Sequence, residues 1–204
     1  MKTNRLLTFF LAVLFIGTVS SCRAPGRILG NGNVIEQERS VRGFTGVELN
    51  GAANVNIHQS ADFNVIVSTD SNIQNRIETR VRNNILRIVI NANNIASGGF
   101  VPTKLTIDIY MPELTELNVN GAATVNVSGG KASNLKINLN GAATINAQDY
   151  EVNNVDVSLS GAGDVKTWAV NELNYQISGV GTIRYRGNPA LSGRTNGLGK
   201  VNRL

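Results

Sequence analysis

An all-β fold of stacked repeats is what this 204-residue sequence predicts, and three observations predict it. The first is a phrase that occurs six times. Asn50-Gly51-Ala52-Ala53 returns as Asn120-Gly121-Ala122-Ala123 and Asn140-Gly141-Ala142-Ala143, then as Ser160-Gly161-Ala162-Gly163, Ser178-Gly179-Val180-Gly181 and Asn196-Gly197-Leu198-Gly199. Its last five copies stand 20, 20, 18 and 18 residues apart, and repeats of this period set an architecture. The second is period-two alternation with β-branched residues in the flanks, the pattern of half-buried strands. The third is composition: abundant Gly, only 4 Pro and 16% charged residues suit a β-rich exported domain.

The elements follow in order. Lys2 and Arg5 precede an apolar run, Leu6 to Val19, and Ser20 and Ser21 lead into Cys22. The run is too short to span a bilayer and ends in small residues, so residues 1–21 read as an export signal. Val19-Ser20-Ser21-Cys22 resembles a bacterial lipobox, which would acylate Cys22 and tie the chain to a membrane. Ordinary cleavage near Ser21, leaving a free thiol, is the alternative. A lone cysteine in an exported chain calls for one explanation or the other. Residues 22–32 read as a tether and 33–204 as one domain.

Within that domain Val47, Leu49, Val55 and Ile57 alternate with polar residues, and Phe63 to Val67, Ile85 to Ile90 and Leu105 to Met111 read as further strands. Ile73, Ile77 and Val81 are four apart, which suits a helical turn, although strand is favoured. Residues 91–103 read as a loop. From Leu114 each unit places one strand before its Gly and one after. The apolar pairs Leu117/Val119, Ile137/Leu139, Val157/Leu159 and Tyr175/Ile177 mark the first strand. Val125, Ile145, Val165, Ile183 and Val201 mark the second, beside Asn126, Asn146, Lys166, Arg184 and Asn202. One column faces in and its neighbour faces out.

Two architectures carry such columns. Asn-Gly between alternating strands is a hairpin signal, so the units could form an antiparallel meander. Alternatively each unit is one coil of about 18–20 residues in a single-stranded parallel β-helix, a β-solenoid, with like stacked on like. Both strands of a unit repeat in kind, which favours the solenoid. One coil buries four or five aliphatic side chains at roughly 1.5–3 kcal/mol each, while ordering its residues costs roughly 1–2 kcal/mol apiece, so coils are stable only in series. The last copy, with Gly193 and Thr195 at apolar positions, reads as an end cap.

Chemistry is sparse. The net charge of +5 is mild and partly belongs to the leader, so nucleic acid is excluded as a partner. One histidine, His58, and one cysteine exclude a zinc site, and no metal or cofactor is expected. Serine nucleophiles lack a visible base. Gly161-Ala162-Gly163-Asp164 is a single, incomplete likeness to a calcium-binding β-roll motif, and the GxG pairs sit at a corner with no helix to bind phosphate. Asp149, Glu151, Asp156 and Asp164 keep a carbohydrate-active enzyme open as an alternative, since glycosidases need two carboxylates across a cleft. Candidate contacts for a ligand or partner are Trp168, which aligns with polar Ser128, Gln148 and Arg186, the basic residues Lys166, Arg184 and Arg186, and Asp164, which replaces a recurrent Thr.

Several segments together resemble a known family. Gly30-Asn31-Gly32-Asn33-Val34, Phe44-Thr45-Gly46-Val47-Glu48-Leu49-Asn50-Gly51, Asn83-Asn84-Ile85-Leu86-Arg87-Ile88 and Pro112-Glu113-Leu114-Thr115-Glu116-Leu117, followed by the Gly-Ala repeats, are similar to the auto-transporter adhesin family termed the head GIN domain. The resemblance covers about residues 30–203. It implies a right-handed parallel β-helix on an exported lipoprotein of a Gram-negative envelope, and it brings no catalytic residues. Arg23-Ala24-Pro25-Gly26 lacks an acidic surface-export cluster, so the periplasmic and outer faces of the outer membrane both stay open. The expectation is a non-enzymatic envelope lipoprotein that presents a regular face to a glycan, an envelope protein or another copy of itself. A self-assembling structural module is a further alternative.

Overall fold

The structure, a computed structural model, describes residues 27–90 and 99–204. The leader, Cys22 and residues 91–98 of the loop expected at 91–103 lie outside the described residues. Strands form where the alternation requires them. The N-terminal half holds β1 (Ile28–Leu29), β2 (Val34–Glu38), β3 (Gly46–Gln59), β4 (Asn64–Asp70), β5 (Ile77–Arg82), β6 (Ile85–Ile90), β7 (Phe100–Val101) and β8 (Leu105–Met111). The C-terminal half holds β9 (Glu116–Ser128), β10 (Lys131–Leu159), β11 (Ala162–Ile177), β12 (Val180–Arg186), β13 (Ala190–Thr195) and β14 (Leu198–Arg203).

The repeats stack in the register that their sequence demands. β3, β9 and β10 pair in parallel so that Asn50, Asn120 and Asn140 are neighbours, as are Gly51, Gly121 and Gly141. The parallel series continues through β11 and β12 to β14, with β13 on the second arm of β11. Inward columns are closed to solvent: Val55, Val125, Ile145, Val165 and Ile183 are all buried. Outward positions form side-chain ladders. Asn120 Nδ2 donates to Asn50 Oδ1 at 3.1 Å and Asn140 Nδ2 to Asn120 Oδ1 at 3.2 Å. Asn138 Nδ2 likewise donates to Asn118 Oδ1 at 2.7 Å.

The expectation of one single-stranded, right-handed parallel β-helix is corrected. The sheet is mixed: β4 runs antiparallel to both β2 and β8, and β5 antiparallel to β6. The chain is therefore all-β but not one continuous parallel helix. The cause lies in the first repeat. Its phrase at Asn50 precedes the next, at Asn120, by 70 residues instead of 20. The intervening chain folds back on itself, turning at Asn83 and Asn84, both with positive φ, a conformation that Asn tolerates better than most residues. The hairpins so formed reverse strand direction and lie at one end of the parallel stack.

Three local readings also change. Ile73 to Val81 divides: Gln74–Arg76 is one 3-10 turn and the strand begins at Ile77. Within the segment read as a tether, Ile28 and Leu29 pair with Phe100 and Val101, two residues read as loop. Gly32 N donates to the buried Asp70 at 2.8 Å.

Candidate functional site

The repeat period contracts at one place, and that place shapes the surface around Trp168. β10 pairs with β11 at an offset of 20 residues as far as Ala147↔Thr167. The next pair is Glu151↔Trp168, so Gln148, Asp149 and Tyr150 are extra on β10. Such bulges re-aim side chains and bend a strand. Here Tyr150 turns inward and anchors the bulge: its hydroxyl donates to Leu114 O at 3.2 Å and accepts from Leu114 N at 3.0 Å. Burial pushes the Tyr150 hydroxyl pKa up, the Leu114 bond opposes that, and the charge of Glu113 adds to it.

The bulge delivers acceptors to Arg186. Its Nη1 donates to Gln148 O at 3.1 Å and to Asp149 Oδ1 at 3.0 Å, and the guanidinium lies 5.0 Å from the Trp168 ring centroid. Cation–π contact of this kind holds both side chains in place. Trp168 is half-buried, and its neighbour on β10 is Glu151, not the Gln148 expected from the repeat. Glu151 is itself paired with Lys131 at 3.0 Å.

Asp164, Lys166 and Arg184 come together on adjoining strands, since Asp164 lies beside Thr182 and Lys166 beside Arg184. Arg184 is ion-paired with Asp164. The five candidates from sequence thus share one outward strip of β11 and β12, but two of its three cations are matched by carboxylates. This makes the strip amphoteric. Asp149, Glu151 and Asp164, three of the four carboxylates considered for catalysis, are committed to ion pairs.

The fourth, Asp156, lines a shallow groove of about 480 Å³ on the other arm of the stack. Its polar walls come from two outward columns, Lys136, Asp156, Asn174 and Ser192 in one, and Asn138, Ser158, Gln176 and Arg194 in the next, with Tyr175 and Gly193 between. Gln176 accepts from Arg194 Nη2 at 3.4 Å. Sequence reasoning missed this groove, though its signal was present: polar residues recur at both outward positions through four successive units. A carbon at Cβ of residue 193 would collide with the Tyr175 backbone and ring, so Gly193 leaves room for the Tyr175 ring, which packs half-buried against the core.

His58 is not isolated. Ser128 Oγ lies 2.8 Å from its Nδ1, and its ring stacks on Tyr110 with centroids 5.0 Å apart. Among the described residues no acid orients the other ring nitrogen, as a nucleophilic triad requires. The described residues also hold no group of three or more His, Cys, Asp or Glu able to bind a metal.

Comparisons with known proteins agree with this architecture. The family model for "putative auto-transporter adhesin, head GIN domain" matches residues 43–129 and 127–189. A crystal structure described as a putative lipid binding protein from Parabacteroides distasonis is similar with a TM-score of 0.50 and 21% identity, covering 87% of this chain and 99% of that one. A putative adhesin from Bacteroides fragilis is similar with a TM-score of 0.51 and 20% identity, covering 87% and 100%. At these identities the likeness is one of fold. No curated protein matches.

Proposed function

Because this chain belongs to the head GIN domain family of putative auto-transporter adhesins, we propose that it is a non-enzymatic binding module of the cell envelope whose ligand is a neutral or amphoteric glycan. The observation that carries this reading is the groove of Asp156, Asn174, Gln176 and Arg194. Its side chains offer donors and acceptors at successive strand spacings of roughly 4.7–4.9 Å, which suits a chain of hydroxyl groups. The strip at Trp168, Lys166, Arg184, Arg186 and Asp164, on the first arm of β11 and on β12, is a second contact surface. Acylation at Cys22 would hold the module on the outer membrane, facing either the periplasm or the exterior.

Titration of the full chain with a panel of polysaccharides tests this reading. Asn174→Ala with Gln176→Ala should weaken binding by about tenfold, since two hydrogen bonds at roughly 0.5–1.5 kcal/mol each are lost. Unchanged affinity in that variant rejects the groove. New reducing ends or unsaturated sugars in the same mixtures would reject the non-enzymatic reading.

A further inference from the structure

Both edge strands of the large sheet carry exposed apolar side chains. Val34 and Ile35 lie on β2 at the end carrying the hairpins, and Leu198 on β14 and Leu191 on β13 lie at the other; Leu29 and Val101 belong to the separate β1-β7 pair, and Val170 and Val180 to β11 and β12. Among the described residues β2 pairs only with β4, and β14 only with β12. Each therefore presents an unpaired row of backbone N–H and C=O groups, a template for another strand.

The two edges match. β14 carries Lys200 and Arg203 and no acid, whereas β2 carries Glu36 and Glu38 and no base. They also run in the same direction. Every step from β14 to β8 is parallel, and the two antiparallel steps through β4 restore that direction in β2. The column that begins at Lys200 passes through Thr124, Asn54 and the buried Ser68 and ends at the exposed Glu36, whose Oε1 accepts from Ser68 Oγ at 3.3 Å. One column thus ends in opposite charges at opposite ends of the molecule.

We infer that copies of this chain associate head to tail, with β14 of one copy adding in parallel to β2 of the next. Continuing the column puts Lys200 beside Glu36, Leu198 beside Val34 and Asn202 beside Glu38. Leu198 is 80% exposed in the single chain and Val34 38%, so the contact covers apolar surface at both edges. Arg203 and Arg39 come next in this register, a like-charged pair that works against the contact and is softened where Gln74 holds the Arg39 guanidinium, through its carbonyl at 3.2 Å and its Oε1 at 3.0 Å. A two-fold contact is disfavoured, because it would set Lys200 and Arg203, or Glu36 and Glu38, against themselves. The companion edges, β13 with Arg194 and β5 with Arg80, Arg82 and Glu78, do not match in charge, which confines the contact to β14 and β2. A heterologous contact of this kind does not close and builds open chains.

Sedimentation velocity of the full chain in detergent micelles, over a range of concentration and salt, tests the inference. The leader is the same in every variant, so its own association cancels from the comparison. Wild type should grow progressively with concentration and shrink as salt screens the Lys200–Glu36 pair. Lys200→Glu or Glu36→Lys alone should raise the dissociation constant about tenfold, as attraction becomes repulsion. The double variant should recover to within about threefold of wild type, and mixing the two single variants should restore open chains in which the two alternate one to one, since each variant's β14 then meets an opposite charge on the other's β2. Circular dichroism identical to wild type shows that each variant is folded, and the salt dependence of wild type needs no variant at all. A monomer throughout the range, a closed dimer, or association indifferent to both swaps overturns the inference.

Discussion

Asp70 joins parts of the chain that sequence does not connect. It is fully buried at the end of β4. It accepts from Gly32 N at 2.8 Å, Thr103 N at 2.7 Å and Thr103 Oγ1 at 2.8 Å. Burial works to raise its pKa, but the Thr103 and Gly32 hydrogen bonds outweigh burial and hold the carboxyl below its usual value. A depressed folded-state pKa contributes stability that is present above the ordinary carboxylate range and lost as pH falls through the folded value. Glu48 acts in the same sense: burial raises its pKa, yet hydrogen bonds from Asn50 and Arg87 and the Arg87 charge bring it down. Thermal melts should therefore be level near neutrality and fall on acidification. Asp70→Asn should lower the neutral-pH midpoint by several degrees and flatten part of the acid slope. An unchanged slope would show that Asp70 is not among the groups responsible. Tyr150 is the second such residue. Tyr150→Phe should cost about 1–3 kcal/mol in urea unfolding, because the Leu114 N–H and C=O are left buried and unpaired.

The repeated Gly owes its place to contact between neighbouring strands. Gly121 and Gly141 have φ of +151° and +155°, and a Cβ on Gly141 would overlap the carbonyl oxygen of Gly121. The same clash recurs at Gly161, Gly179 and Gly197, each against the carbonyl of the Gly before it. This column was legible from sequence because a backbone approach repeated at fixed intervals leaves a fixed residue. Gly141→Ala should destabilise by about 3 kcal/mol or more, in the range reserved for strained or overpacked positions. A loss below 1 kcal/mol, read by chemical denaturation, would show that the corner relaxes. Thr167 makes the opposite case. It is fully buried in an inward column between Ala147 and Tyr185, and its hydroxyl has no partner. Thr167→Val removes an unpaired polar group with little change of shape, so stability should hold or rise by up to about 1 kcal/mol. The bulge at Gln148 to Tyr150 was only half legible. The change in spacing from 20 to 18 announced it, but the inward turn of Tyr150 depends on a backbone contact 36 residues away.

What the sequence hid is the joining of its two halves. Local repetition predicted inward and outward columns, and Val55, Val125, Ile145 and Val165 confirm them. The directions of β2, β4 and β5 depend on chain reversals near Asn83 and across residues 60–63, where no repeat exists to compare. The groove was hidden for a related reason, since it joins outward residues of four units that are unremarkable singly. The resulting molecule is graded in stability from its middle to one end. β3, β9 and β10 pair on both sides through long runs and enclose the fully buried columns. β13 is exposed along its whole length and β14 along most of it, each with one partner strand. Repeat stacks gain stability from nearest-neighbour interfaces, so a unit with one interface opens more readily than a unit with two. Amide hydrogen exchange should therefore show protection falling from β9 and β10 through β12 to β13 and β14. Trp168 lies on β11, the third strand from that end, where Arg186 of β12 covers it, so its fluorescence should change at lower denaturant than circular dichroism does once β12 and β14 open. Coincident transitions by the two probes, with uniform exchange along the stack, would mean that the end units unfold only with the whole chain.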